Sequence, residues 1–423
     1  RQFTSMLTCC FLTLQMNILI TSDPHIDPDY NPNVDKNDDP TFFCRDYKPW
    51  NLALEAIQPP EGGFTYGQYG CDLPIKSYEA MASQIDYTNL KVHLMLGDIA
   101  AHGPKTVESY QRSFQIFGKN HQQNIPIIFS VGNNDMFPNN QLGTTFTSTT
   151  EAVNPVLKDV LGNLTENKIL KLNETQEKTF LKGGYYAQTI DDFNIISLNT
   201  MMYAYDFLQH YQNIPEDPRD QIAFLRTQLK QFQQQNQKYM IQSHICPGIN
   251  SFNGYPQIEQ KYQDQILSVL KEYKPTAWLC GHTHKDSFKS FAQIPVMNAP
   301  GLSPNSYNNM AFRYANISNN QMTNYVQFFA SLQNANFVKK LRVKKHYDFQ
   351  ETYGGQPTSD FLLGLKEKMR TDPKLYSKIF EDGDMYYQDK RQFYLCATET
   401  LTAEEYQDCA DIWAFNEVTK PKS

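Results

Sequence analysis

Five short fragments of this chain carry oxygen and imidazole donors in one ordered series. They are Ser22-Asp23-Pro24-His25, Gly97-Asp98, Gly132-Asn133-Asn134-Asp135, Ser243-His244 and Gly281-His282-Thr283-His284. Each follows an apolar run that reads as a buried strand, at 17–21, 92–96, 126–131, 239–242 and 276–279. Donors at strand ends gather where open α/β sheets place their sites. Carboxylate, amide oxygen and imidazole together suit zinc, iron or manganese. His282 and His284 lie two apart, so on an extended segment they share a side and reach adjacent cations. Two such cations would supply a hydroxide at mild pH and hold phosphoryl oxygens, which is the chemistry of phosphoester hydrolysis. Singly, each fragment has a plainer reading: Asp23 as a turn cap, Gly97-Asp98 as an Asx turn, the histidines as hydrogen-bonded groups at sheet ends. Their joint order behind five strands is what those readings leave unexplained.

The elements between the fragments read as crossover helices. Residues 221–237 place Ile222, Leu225, Leu229 and Phe232 on one face, with Asp217-Pro218 as a start signal. Residues 258–273 repeat the pattern through Tyr262, Ile266, Val269 and Leu270, and 106–119 fill the gap between the second and third fragments. This alternation predicts an α/β sandwich built on mixed sheets. Two regions break it. Residues 27–74 form a long loop with prolines, glycines and aromatics, and 359–370, 372–380 and 403–417 read as helices of a separate C-terminal unit.

At 423 residues the chain suits one large domain with a smaller appendage. A net charge of −7 argues against a nucleic-acid duplex as partner, so an anionic substrate would be drawn by the cations themselves. No apolar run is long enough to span a bilayer. Residues 7–14 suit either a signal-peptide core or a lead-in strand. Of eight cysteines, Cys44 and Cys71 flank the long loop, Cys396 and Cys409 bracket the last helical stretch, and both pairs could close disulfides. Cys246 and Cys280 adjoin candidate ligands and could instead be buried thiols. Acceptor sequons occur at Asn163, Asn173 and Asn316. Cysteines and sequons together point to a secreted, lysosomal or vacuolar protein.

These residues resemble the calcineurin-like metallophosphoesterases, and more closely the acid sphingomyelinase-like phosphodiesterases. The five fragments match the wider family's D-x-H, GD, GN, H and GHxH pattern. The narrower group is indicated by Gly97-Asp98-Ile99-Ala100-Ala101-His102, Gly70-Cys71-Asp72 with Pro74, and Ser197-Leu198-Asn199-Thr200. Ala299-Pro300-Gly301-Leu302-Ser303-Pro304, Phe312-Arg313 and the terminal cysteine pair add to it. The resemblance runs from Asn17 to Cys409. It implies a four-layer sandwich of two mixed β-sheets flanked by helices over 16–345, followed by a small helical subdomain over 346–423 with a disulfide. Residues 1–15 would be a signal remnant or lead-in strand. One cation would take Asp23, His25, Asp98 and His284, and the other Asp98, Asn133, His244 and His282, with Asp98 bridging. Zinc is the first expectation for both, with iron or manganese as alternatives. His102 would bind phosphate or protonate the leaving group.

The chain departs from this pattern in two places. Asn134 stands where these families usually carry histidine. An amide can hydrogen-bond a phosphoryl oxygen but cannot deliver a proton. The form Gly132-Asn133-Asn134-Asp135-x-x-Pro138 instead resembles fungal vacuolar endopolyphosphatases. A phosphate leaving group needs less acid assistance than an alkoxide, which makes nucleotide or polyphosphate substrates credible. Also, no saposin-like lipid-handling domain precedes Asp23, so sphingomyelin is disfavoured and contact with a lipid membrane is not expected. The expectation is a monomeric dinuclear-metal phosphodiesterase that cleaves soluble phosphodiesters or phosphoanhydrides, such as nucleotides, by attack of a metal-bound hydroxide. The alternatives are an endopolyphosphatase, a sphingomyelin phosphodiesterase and a non-catalytic metal-binding module.

Overall fold

The computed structural model describes residues 16–34, 43–45, 63–103, 105–143, 146–147, 153–250, 254–318, 321–380 and 391–419. Two six-stranded mixed sheets form its centre. The first runs, edge to edge, Lys344–Asp348, Gln321–Ala330, Met310–Ser318, Met16–Thr21, Val92–Met95 and Ile127–Phe129. The second runs Ser287–Phe291, Ile294–Asn298, Trp278–Cys280, Lys238–Ser243, Phe193–Leu198 and Tyr186–Ile190. The strands that lead into the five fragments are parallel to one another within each sheet. Ile127–Phe129, Val92–Met95 and Trp278–Cys280 are buried at every position, as expected of parallel strands covered on both faces.

Polar side chains stitch the sheets together beside the site. Gln242 donates to the Ile128 carbonyl and to Ser130 Oγ, both at 3.0 Å. Ser197 Oγ donates to the Phe129 carbonyl at 2.8 Å, and the Phe129 N–H donates to Tyr186 Oη at 2.8 Å. These hydrogen bonds form only if the two sheets keep one register, so they fix how the strand ends meet.

The crossover helices form where periodicity and caps coincide. Val107–Asn120 starts with a reciprocal Thr106/Ser109 cap. Gln221–Gln234 buries Ile222, Leu225, Leu229 and Phe232, and Asp217 accepts the Ile222 and Ala223 N–H groups, both at 2.9 Å. It stops before the sequence pattern does, because Asn236 turns left-handed at φ 52°. Gln260–Tyr273 likewise buries Tyr262, Ile266, Val269 and Leu270.

The C-terminal helices Ser359–Thr371, Pro373–Phe380, Arg391–Cys396 and Ala403–Thr419 lie beyond the strand Lys344–Asp348. They lean on the edge strand Ser287–Phe291: the Ser290 N–H donates to the Thr398 carbonyl at 3.0 Å, and Phe288 N–H to Tyr394 Oη at 3.3 Å. Leu362, Leu365, Met369 and Leu395 join the same apolar core as the sheets.

Candidate metal centre

All five fragments meet at the strand ends. The 23–26 segment lies along 97–99, with Asp23 N–H donating to the Gly97 carbonyl and His25 N–H to the Asp98 carbonyl, both at 3.0 Å. Gly281 N–H donates to the His244 carbonyl at 2.8 Å, and His282 N–H reaches the Asp23 carboxylate at 3.0 Å. Asp98 Oδ2 stands in the middle, 3.5 Å from His25 Nε2 and 3.3 Å from His244 Nε2. Asp23 Oδ1 lies 3.5 Å from His284 Nε2, and Asn133 Oδ1 lies 3.1 Å from His244 Nε2. The donor atoms fall into overlapping groups, Asp23/His25/Asp98 and Asp98/His244/His282, each within 4.8 Å.

The backbone is bent to make this possible. Asp23, His25, Asp98, His282 and His284 have φ of 50°, 38°, 61°, 72° and 58°. Few non-glycine residues adopt that region, and such strain gathers at functional sites. Glycine is required where two loops touch: a Cβ on Gly132 would fall inside the Asp98 carboxylate, and one on Gly281 would strike Ser22 Oγ.

The imidazoles are oriented from behind. His25 Nδ1 is 3.0 Å from the Ala100 carbonyl and His244 Nδ1 is 2.8 Å from the Leu96 carbonyl, so each carries its proton there and turns Nε2 inward. Nε2 atoms of His25 and His284 then lie 3.1 Å apart, facing carboxylate oxygens. Carboxylate oxygens and imidazole nitrogens converging on one point form the donor set that a cation completes, so the residues present fit divalent metals.

Among the protein groups alone, electrostatics favour charge on Asp98 and His244 and leave His282 and His284 neutral. Burial disfavours charge on Asp98, but His244 and His25 hold its carboxyl well below the usual range. Burial opposes protonation of His244 too, yet Asp98 pulls it up to about 10. Burial, reinforced by His244, pushes His282 down to about 4, and burial pushes His284 down to about 3 despite Asp23. Those two rings are therefore neutral, the form in which imidazole binds metal.

Two carboxylates around the centre were not assigned roles from sequence. Asp135 accepts the Gly132, Asp98 and Ile99 N–H groups at 2.7–2.8 Å and so locks the two loops together. Burial, then repulsion from Asp98, raise it to about 6. Asp72 accepts the His102 N–H at 2.6 Å and lies 2.8 Å from His102 Nδ1. His102 stacks on His25 with ring centroids 3.8 Å apart, at the edge of the cluster and partly exposed. The signals were present in Gly132-Asn133-Asn134-Asp135 and Gly70-Cys71-Asp72, but their partners are 30 or more residues away.

Asn134 has a different setting from the substrate-facing one its position suggests. It is buried, its Nδ2 donates to Asp98 Oδ2 at 2.8 Å, and its Oδ1 accepts from Asn139 at 2.7 Å. Cys44–Cys71 and Cys396–Cys409 are joined, with Cα atoms 6.0 Å and 5.7 Å apart. Cys246 and Cys280 are not thiols but a third disulfide, with Cα atoms 5.5 Å apart. Their strands are parallel neighbours, so the loops carrying His244 and His282 leave the sheet side by side. Of the sequon residues, Asn173 is exposed at a helix cap, Asn316 is half-buried in a strand, and Asn163 is buried with Nδ2 on the Asp159 carbonyl.

Residues 16–286 match the calcineurin-like phosphoesterase family. The chain is a calcineurin-like phosphoesterase. This phosphoesterase is 25% identical over 392 residues to the Sphingomyelinase phosphodiesterase D of Dictyostelium discoideum, a match covering 85% of this chain and 84% of that protein. It is 25% identical over 431 residues to the Cyclic GMP-AMP phosphodiesterase SMPDL3A of Homo sapiens, covering 92% and 88%. The Sphingomyelin phosphodiesterase A of Dictyostelium discoideum is 24% identical over 437 residues, covering 93% and 67%. The phosphoesterase is thus a hydrolase of phosphoric diesters with an acid sphingomyelinase-like kinship, and its family depends on divalent metal. Among the described residues, no helix is long and apolar enough to cross a membrane.

Proposed function

We propose that this chain is a dinuclear phosphodiesterase of soluble phosphodiesters and phosphoanhydrides, with nucleotides as the substrate class. The observation that carries the reading is Asp98 Oδ2, within 3.5 Å of imidazoles from both donor groups. Asp23, His25, Asp98 and His284 would hold one cation, and Asp98, Asn133, His244 and His282 the other, with zinc first among the metals that suit these donors. When bound, the pair supplies a nucleophile at mild pH and neutralises phosphoryl charge. His102, held by Asp72, binds a phosphoryl oxygen or protonates the leaving group. Asn134 acts through Asp98, as a positioning residue.

A cavity of about 420 Å³ opens beside His282 and Asn133 and extends to Tyr205, Asp206, Tyr255 and Gln257. No Lys or Arg lines it among the described residues. A chain of phosphates would meet no countercharge there, whereas a nucleoside would meet aromatic rings and amides. That favours a nucleotide over polyphosphate, despite the Gly132-Asn133-Asn134-Asp135 form. The cyclic dinucleotide in the name of one relative falls in the same class. Three disulfides support passage through the secretory route to a secreted, lysosomal or vacuolar destination.

The test is one panel at acid and neutral pH: nucleoside polyphosphates, a cyclic dinucleotide, polyphosphate and sphingomyelin, alongside metal analysis. Nucleotide turnover that scales with two metal equivalents is the expected result. Turnover confined to polyphosphate or to sphingomyelin would overturn the substrate class, and metal binding without turnover would make the chain a binding module.

A further inference from the structure

The helix Leu332–Val338 ends in two uncovered apolar side chains, Phe337 and Val338, which are 86% and 46% exposed. Lys339, Lys340, Arg342, Lys344 and Lys345 follow at once, and all of them are exposed. Lys345 pairs with Glu351 at 2.6 Å; among the described residues no ion pair engages the other four cations. Lys76 borders the same surface. Its Nζ lies 5.0 Å from the centre of the Tyr66 ring, and Tyr66 Oη donates to the Lys339 carbonyl at 3.1 Å.

Edge protection accounts for part of this. Lys344 and Lys345 lie on the outer strand of the first sheet, where charge blocks strand addition. It does not account for an exposed phenylalanine and valine at a helix end, nor for Lys339, Lys340 and Arg342 beyond that strand. A protein of net charge −7 has here concentrated unpaired cations around an apolar tip. Basic residues beside protruding aromatic and aliphatic side chains match the boundary of an anionic bilayer, with headgroups outside and acyl chains beneath. A nucleic-acid duplex would engage the cations alone and leave the apolar tip in water.

We propose that Phe337, Val338 and the basic run 339–345 dock this protein on an anionic lipid surface. This departs from the expectation that membranes are not among its partners. The helix is fastened to the active-site side of the molecule: Asn336 accepts the Tyr66 N–H at 3.0 Å and donates to the Gly67 carbonyl at 2.9 Å. That segment runs on to Asp72, the carboxylate that holds His102.

The experiment is cosedimentation of the full chain with vesicles of phosphatidylcholine, alone or mixed with phosphatidylglycerol, at low and high salt. Binding to the anionic vesicles only, weakened by salt, is expected. Phe337→Ser with Val338→Ser, and separately Lys339→Glu with Lys340→Glu and Arg342→Glu, should each weaken it about tenfold or more. Both variants should keep wild-type melting temperature and turnover of bis(p-nitrophenyl) phosphate. Equal binding to neutral vesicles, or binding that neither variant weakens, overturns the proposal. So does retention of single-stranded RNA without vesicle binding, and so does a dimer that the Phe337/Val338 variant dissolves in place of vesicle binding.

Discussion

Asp72 grips His102 at two points, its Oδ2 2.6 Å from the backbone nitrogen and its Oδ1 2.8 Å from Nδ1. The carboxylate is fully buried while the ring is partly exposed, so the rigid partner sets the orientation of the accessible one. Asp72→Asn keeps the shape and removes the charge. We expect kcat to fall about 10²-fold, as for loss of a well-placed proton donor. The alkaline limb of the kcat pH profile should move, and metal content should not. An unchanged pH profile would mean that the pair is structural only.

Stability should depend on pH in opposite senses at two neighbouring carboxylates. Asp27 pairs with Arg45 at 2.8 Å, yet burial outweighs that pair and raises it to about 6. A carboxylate raised on folding favours the fold below its unfolded value near 3.8, and loses that benefit as pH climbs towards 6. Asp72 is also opposed by burial, but His102, then His25 and Arg45, hold it well below 3.8. Its contribution is complete above 3.8 and disappears only as pH falls through the lower, folded value. The melting-temperature difference between wild type and Asp27→Asn should therefore grow as pH falls from about 6 to 4. The difference between wild type and Asp72→Asn should shrink as pH falls below 3.8.

Asp98→Asn removes a charge shared by both donor groups. At least one metal equivalent should be lost, and turnover should fall by several orders of magnitude, since metal stabilisation amounts to several kcal/mol. Metal analysis of the purified variant beside its kinetics checks this; full metal content with near-normal rates would refute the bridging role.

Asn134→Ala strips Asp98 Oδ2 of its side-chain donor at 2.8 Å. Groups that orient a metal-binding carboxylate typically change metal affinity about 10–100-fold. We expect a chelator titration to show that loss. The slope of kcat/KM against leaving-group pKa, across aryl phosphodiesters, should match wild type. A changed slope would return Asn134 to the leaving group.

Cys246→Ser with Cys280→Ser frees the loops that carry His244 and His282. The loss should be about 2–4 kcal/mol of stability, together with weaker retention of one metal equivalent during dialysis against chelator. Peptide mapping without reductant should show the three links 44–71, 246–280 and 396–409 in wild type. A free thiol at Cys246 would reject the third.

The sequence by itself determined the strands, the crossover helices and the seven candidate ligands. It could do so because each depends on local pattern: apolar runs such as 92–96, the 3.6-residue periodicity of 221–234, and donors at the points where chain leaves sheet. Tertiary structure decided what surrounds those ligands. Asp135 reaches Asp98 and Asp72 reaches His102 only because parallel strands set distant loops side by side. The same adjacency joins Cys246 to Cys280, which from sequence could have been buried thiols. Asn134 turned inward because Asp98, bent to φ 61° beneath it, offered a buried carboxylate oxygen that required a donor. Exposure, too, is a property of packing. Leu332 and Leu341 are buried while Phe337 between them stands in solvent, and composition gives no sign of which apolar side chain the fold leaves uncovered.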